Sequence, residues 1–391
     1  MPSIIWYPGH DALLKDIERA EGCYLYDSNG KRYVDLESGV WCTSIGHGHP
    51  RILNVINQQA ARIMHNGFMY ASRIVEAAAS EILNLLGFGG GRLVFLCSGS
   101  EAVEYGVRVS RMVTDKPLLM TMTDSYFGAY GSAWRRDESE WFGFDWTGCA
   151  RCPEKRTCDD TCELWAAVPF ERIGGFLFEP GSSSGLVRFP PAKLIRSIVD
   201  FVHKAGGLVQ VNEVTTGIAR TGKWFGYQHY GIAPDIASMG KGIGNGYPVS
   251  ATAFRPGVIE RLGGRPIPYA QSHQNDPLGA AVAREVIRVI EEEDLVERAA
   301  RTGEFLVSGL EGIKARTARI REIRSRGLLV AIELEDGPDE ALTREILSDL
   351  LSQGYVLARR SGYGVLRVDP PLSISTKDIE GFLRTFEEVL A

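Results

Sequence analysis

Arg92-Leu93-Val94-Phe95-Leu96-Cys97 runs directly into Ser98-Gly99-Ser100-Glu101. The first stretch is dominated by apolar, strand-favouring side chains and reads as a buried β-strand. Ser98 with Glu101 three residues later is the capping-box signature of a helix start, here of a helix running toward Val113. A buried strand that turns at once into a capped helix is half of a βαβ unit, and the chain repeats the theme. Residues 118–123, 174–179 and 208–212 read as further buried strands. Residues 192–205 place Ile195, Ile198, Val199 and Val202 on one helical face, and Gly206-Gly207 stops that helix. Segments 236–239 and 249–254 give two more strands. Strands alternating with helices predict an α/β fold around a mainly parallel sheet.

Beyond about residue 280 the texture changes. A single charged helix is expected over 278–300, with Glu291-Glu292-Glu293-Asp294 on its solvated face. Strand candidates at 328–334 and 364–368 follow. A closing helix after Ser375 carries the apolar stripe Ile379, Phe382, Leu383, Phe386 and Val389. This reads as a smaller α+β region packed against the first, since no low-complexity linker separates them. At 391 residues the chain suits one large domain plus a smaller one. Apolar residues at 44% and charged residues at 24% are an ordinary globular mix. A net charge of -6, with both signs spread along the chain, offers no basic field for nucleic acid or an anionic membrane. No run approaches the roughly 18 apolar residues of a membrane span. Met1 to Pro8 lacks the basic start and apolar run of a secretion signal. A cytoplasmic protein is the expectation.

Several motifs compete for the chemistry. Gly217-Ile218-Ala219-Arg220-Thr221-Gly222-Lys223 has phosphate-loop spacing, but Trp224 stands where a magnesium-holding Ser or Thr is needed. His47-Gly48-His49-Pro50 reads as a turn with exposed imidazoles, because no other metal ligands lie nearby. A different set sits where strands run out at their C-terminal ends, the place open α/β sheets bind ligands. Ser98-Gly99-Ser100 offers backbone N–H groups at a helix start, a seat for phosphate. Asn212-Glu213-Val214 ends an apolar strand. Lys241, between Gly240 and Gly242, can be approached closely by a planar ligand, and partial burial would make it an amine nucleophile.

Together these segments resemble the class III aminotransferases, the omega- and ornithine-type members of the fold type I pyridoxal phosphate enzymes. The resemblance covers nearly the whole chain. It includes Tyr24-Leu25-Tyr26-Asp27 with Lys31-Arg32-Tyr33-Val34-Asp35, and Gly46-His47-Gly48-His49-Pro50. It continues through Ser98-Gly99-Ser100-Glu101-Ala102, Glu179-Pro180, Asn212 to Gly217, Pro234-Asp235-Ile236 to Gly240-Lys241, and Arg367 before Pro370-Pro371-Leu372. It implies a large cofactor-binding domain over 51–280, with a mainly parallel seven-stranded sheet flanked by helices. Residues 1–50 and 281–391 would then form the smaller domain. It also implies an aminotransferase that moves an amino group from an amine or amino acid to a keto acid, with pyridoxal 5'-phosphate held on Lys241 as a Schiff base. Gly99 and Ser100 would bind the phosphate. Tyr126 would stack on one ring face and Val214 on the other, with Asn212 and Thr215 in the segment beneath the ring. Ser272 occupies the place from which the family sends a threonine to the partner subunit's cofactor, which implies a homodimer with shared active sites. Trp41 would line the substrate pocket, and Glu179 and Arg367 would form a substrate-switching pair.

The chain departs from the family pattern at Asn212, where the family has an aspartate facing the pyridine nitrogen. Asparagine cannot form that ion pair, so the ring would be a weaker electron sink. Three readings follow. Transamination proceeds with a compensating contact, for instance from Glu213. The enzyme runs a reaction that tolerates a weaker sink, such as amino acid racemisation or epimerisation. Or the asparagine was introduced in place of a natural aspartate. Phe127 replaces a histidine, Ala129 stands where ornithine-type members carry arginine, and His273-Gln274-Asn275 is also atypical.

Four of the seven cysteines cluster as Cys149-x2-Cys152-x5-Cys158-x3-Cys162 in a polar stretch. That spacing suits one zinc ion or an iron–sulfur cluster, with free or redox-active thiols as the alternative. A metal- or redox-sensing relative with weak catalysis is therefore a third functional possibility.

Overall fold

Seven strands form the central sheet of the computed structural model, which describes residues 12–67, 69–153 and 157–391. They are β1 (Arg92–Leu96), β2 (Leu118–Met122), β3 (Trp141–Phe144), β4 (Ile173–Phe178), β5 (Leu208–Asn212), β6 (Ile236–Met239) and β7 (Ser250–Phe254). Their spatial order is β1-β7-β6-β5-β4-β2-β3. Only β7 runs antiparallel to its neighbours. Every residue of β2, β4, β5, β6 and β7 is buried. Both faces are therefore covered, which is why these strands read as unbroken apolar runs rather than alternating ones. Met1 to Pro8 and residues 154–156 lie outside the described residues.

The helix predicted after Ser98 forms with its predicted cap. In α1 (Gly99–Val113) the Ser98 hydroxyl accepts from the Glu101 N–H while the Glu101 carboxylate accepts from the Ser98 N–H. The apolar face of α2 (Ala192–Lys204) buries Ile195, Ile198, Val199 and Val202. The helix expected over 278–300 is instead two, α3 (Pro277–Glu292) and α4 (Leu295–Lys314), broken at Asp294 with φ 53°. Glutamate is a good helix former, so nothing in the composition of Glu291-Glu292-Glu293 announced a left-handed break there. Edge strand β3 was also unforeseen, being four residues long with a glycine inside. The closing helix α5 (Thr376–Leu390) is capped by Ser375.

Two smaller sheets complete the fold. One joins Ile17–Glu21, Tyr24–Asp27 and Arg32–Asp35 to Tyr355–Val356. The other joins Ile320–Arg326, Leu329–Leu334, Val365–Val368 and Ala358–Arg360, all antiparallel. The glycine–lysine loop at 217–223 is a joint rather than a phosphate seat. Its Arg220 is 1% exposed and donates to the Leu328 and Pro370 carbonyls at 3.1 and 2.5 Å. The histidines of the 46–50 turn are not exposed as expected. His47 bonds Asp35 at 2.8 Å and His49 lies 3.4 Å from Glu293, both largely covered. Among the described residues no helix is long and apolar enough to cross a membrane.

Candidate active site

Five of the six parallel strands deliver polar residues to one edge of the sheet. Ser98-Gly99 follows β1, Tyr126 lies shortly beyond β2, Glu179 follows β4, Asn212 ends β5, and Gly240-Lys241 follows β6. Lys241 is held at φ 48°, in the left-handed region that side chains rarely adopt. Its Nζ donates to the Thr215 hydroxyl at 2.8 Å and lies 4.2 Å from the centre of the Trp41 ring. Burial draws its pKa down to about 8, against the opposing pull of Cys42 and Glu179. Such an amine is neutral far more often near neutrality than an ordinary lysine, as a carbonyl-capturing nucleophile must be.

Beside it, α1 presents its N-terminus. The capping box satisfies the Glu101 N–H, and the Ala102 N–H reaches the Ser98 carbonyl. The N–H groups of Gly99 and Ser100, in the first turn, have no intrahelical acceptor. With the helix dipole they make an anion seat. Backbone and side chains close in tightly around it. A Cβ on Gly99 would stand 2.6 Å from Val214 Cγ1, and one on Gly240 would be 3.3 Å from both Gly99 Cα and Val214 Cγ1. The Ser100 hydroxyl accepts from the Ala129 N–H at 3.0 Å, tying the aromatic turn to the helix start. Tyr126 of that turn is 44% exposed.

The strand ends of β4 and β5 grip the Tyr126 backbone. Glu179 accepts from the Tyr126 N–H at 3.0 Å, and the Asn212 amide donates to the Tyr126 carbonyl at 3.0 Å. Asn212 Oδ1 accepts from the Val214 N–H at 3.2 Å. Burial pushes the Glu179 carboxyl up to about 7, opposed by bonds from Ser183 and Tyr126. Glu213 faces the other way. It accepts from Thr216 Oγ1, Gly226 N–H and Tyr227 N–H, each at 2.8 Å, and is wholly buried. The compensating contact considered for Glu213 is therefore absent: successive side chains at a strand end point to opposite faces.

Arg367 lies over the same Trp41 ring, 4.0 Å from its centre. Its carboxylate neighbours are Glu37 and Asp369, each at 3.8 Å. The expected pairing of Arg367 with Glu179 is not formed in this structure, because Glu179 is held by Tyr126 and Ser183. Trp41 itself is 4% exposed and closes a left-handed turn, with Ser38, Gly39, Val40 and Trp41 at φ 53, 54, 59 and 64°. The sequence reading missed Glu37 and Asp369. Asp369 lies two residues from Arg367, on or just past the end of a strand, a spacing that puts side chains on the same face. Ser272 is exposed on the turn before Asp276.

The four clustered cysteines are free thiols lining a cavity of about 280 Å³ with Trp165 and Leu194. The zinc or iron–sulfur expectation for Cys149, Cys152, Cys158 and Cys162 is not met. Among the described residues, the only three metal-type ligand atoms within 4.8 Å of one another belong to His65, His273 and Asp276. Cys149, Cys158 and Cys162 instead pack against the apolar core. Burial, with its thiol neighbours, raises the Cys149 pKa to about 11, so it behaves as a small apolar group.

Comparison with known proteins agrees with this geometry. Residues 6–134 and 150–390 match the class-III aminotransferase family. The acetylornithine aminotransferase of Bacillus subtilis is 29% identical over 381 residues, covering 96% of this chain and 95% of that protein. The leucine/methionine racemase of Thermococcus litoralis is 27% identical over 402 residues, covering 95% and 90%. The crystal structure of a Bacillus anthracis aminotransferase superposes with a TM-score of 0.89 at 25% identity, covering 99% of this chain and 96% of that one. That family uses pyridoxal phosphate, and the residues gathered here fit it: a helix N-terminus for phosphate, a packed glycine cradle, a neighbouring tyrosine and a half-buried lysine. The chain is a member of the class-III aminotransferases.

Proposed function

We propose that the site transfers an amino group between an amine or amino acid and a keto acid, with pyridoxal phosphate held by Lys241. The observation that carries this reading is the Lys241 environment: a half-buried amine of lowered pKa, aimed by Thr215 and placed beside a free helix N-terminus. Once bound, the cofactor supplies a carbonyl for the amine and an electron sink for the bond that breaks. The protein's part is to bind and orient. Gly99 and Ser100 hold the phosphate, and Tyr126 and Val214 flank the ring. Lys241, once released, moves a proton at the substrate carbon. Trp41 and Arg367 line the substrate side, where a guanidinium with only 3.8 Å carboxylate partners is available to a substrate carboxylate. Each subunit's exposed Ser272 serves the phosphate of the other in a homodimer. The division into 51–280 and a smaller domain built from 1–50 and 281–391 is supported by the pairing of Arg32–Asp35 with Tyr355–Val356.

A second reading, racemisation or epimerisation of an amino acid, is favoured by Asn212 and by the likeness to the Thermococcus litoralis racemase. Incubation with a panel of amino donors separates the two. Amino transfer yields a keto acid and shifts the cofactor's absorbance to that of its amine form. Racemisation removes optical rotation with no keto acid formed. If neither is seen with cofactor bound, both readings fail.

A further inference from the structure

The Asn212 amide is oriented by its neighbours. Only its nitrogen can donate to the Tyr126 carbonyl, at 3.0 Å, and only its oxygen can accept from the Val214 N–H, at 3.2 Å. The oxygen is thus turned toward its own chain. The nitrogen carries two hydrogens, and the Tyr126 carbonyl takes one of them. The carboxylates beside this corner are engaged elsewhere. Glu213 serves Thr216, Gly226 and Tyr227, and Glu179 serves Tyr126 and Ser183.

We propose that Asn212 presents an amide N–H, not a carboxylate, to the ring nitrogen of the cofactor and so keeps that nitrogen unprotonated. This rests on the cofactor site proposed above, and it holds whether the reaction is amino transfer or racemisation. A donor N–H satisfies a pyridine lone pair and opposes a pyridinium N–H. The same amide fastens the aromatic turn. Aspartate at 212 would set a carboxylate oxygen against the Tyr126 carbonyl, two acceptors facing one another. The asparagine therefore belongs to a local arrangement that an aspartate cannot simply restore.

The test loads the full-length protein with pyridoxal phosphate labelled with nitrogen-15 at the ring position and reads its chemical shift. The wild type is expected to give the neutral-pyridine signal at neutral pH, and Asn212→Asp a signal displaced toward pyridinium. A wild-type signal in the pyridinium range overturns the proposal. A second readout needs no cofactor. Thermal unfolding of the cofactor-free Asn212→Asp protein is expected roughly 1–2 °C below wild type, from loss of about one hydrogen bond. An unchanged or higher melting temperature contradicts the amide orientation. Failure of the cofactor to attach to Lys241, seen as absence of its visible band, is a different failure and overturns the site reading itself.

Discussion

At the scale of single residues, Lys241 is unusual in backbone and in charge. A left-handed conformation costs a non-glycine residue about 1–2 kcal/mol, which the surrounding packing must supply. What the strain achieves is direction: the amine meets Thr215 and the Trp41 face rather than solvent. Its pKa, drawn down to about 8 by burial, predicts how cofactor capture depends on pH. The neutral amine is the nucleophile, so the capture rate of the cofactor-free protein should rise with pH and level off above about 8. Stopped-flow absorbance checks this, and a rate still climbing toward the ordinary lysine value contradicts it. Thr215→Val removes the hydroxyl that holds Nζ. A lost hydrogen bond of about 1 kcal/mol corresponds to a roughly fivefold slower capture, with phosphate affinity unchanged in a competition assay. The lysine and the phosphate turn were readable in the sequence because each lies within a few residues of its own strand end. The partners of Arg367 were harder to read, because Glu37 approaches from the opposite end of the chain.

At the scale of elements, the left-handed turn Ser38–Trp41 and the capped start of α1 make opposite predictions. Val40 is a β-branched residue at φ 59° and 48% exposed. Relieving about 1–2 kcal/mol of left-handed strain outweighs the roughly 0.5–1 kcal/mol of chain entropy that glycine brings. Val40→Gly should therefore raise the melting temperature, where such a change ordinarily lowers it; a lower value would show that the turn is not strained. Ser98→Ala removes the capping hydroxyl and should destabilise the fold by about 1 kcal/mol in denaturant unfolding. No loss would mean that the capping box contributes nothing here. Elements followed the sequence wherever burial was continuous, as in β2, β4 and β5, since a covered parallel strand must be apolar throughout. They departed from it where a left-handed residue decided the path. Neither Asp294 nor the 38–41 turn carries a side-chain pattern that periodicity detects.

At the scale of the molecule, the site is assembled by a buried joint. Arg220 reaches from the central sheet region to the carbonyls of Leu328 and Pro370, with Asp369 and Asp35 among the charges acting on it. Burial lowers its pKa to about 10 and those carboxylates oppose the shift, so it stays charged. Arg220→Met would leave the buried Asp369 without one of its two balancing cations. A destabilisation of about 3–5 kcal/mol is expected in denaturant unfolding; a change below about 1 kcal/mol would show that the joint is not needed. The overall α/β layout was legible because alternating strands and helices admit few arrangements. The metal expectation for the four-cysteine loop finds no support for a related reason: spacing alone does not report whether thiols reach ligand distance, and here they line one cavity beside the apolar core. The central claim is that Lys241 is the residue that holds the cofactor. Borohydride reduction of the cofactor-loaded protein, followed by peptide mass spectrometry, tests it most directly. The account predicts one phosphopyridoxyl adduct, on Lys241, absent in Lys241→Ala; an adduct on any other lysine, or none, contradicts it.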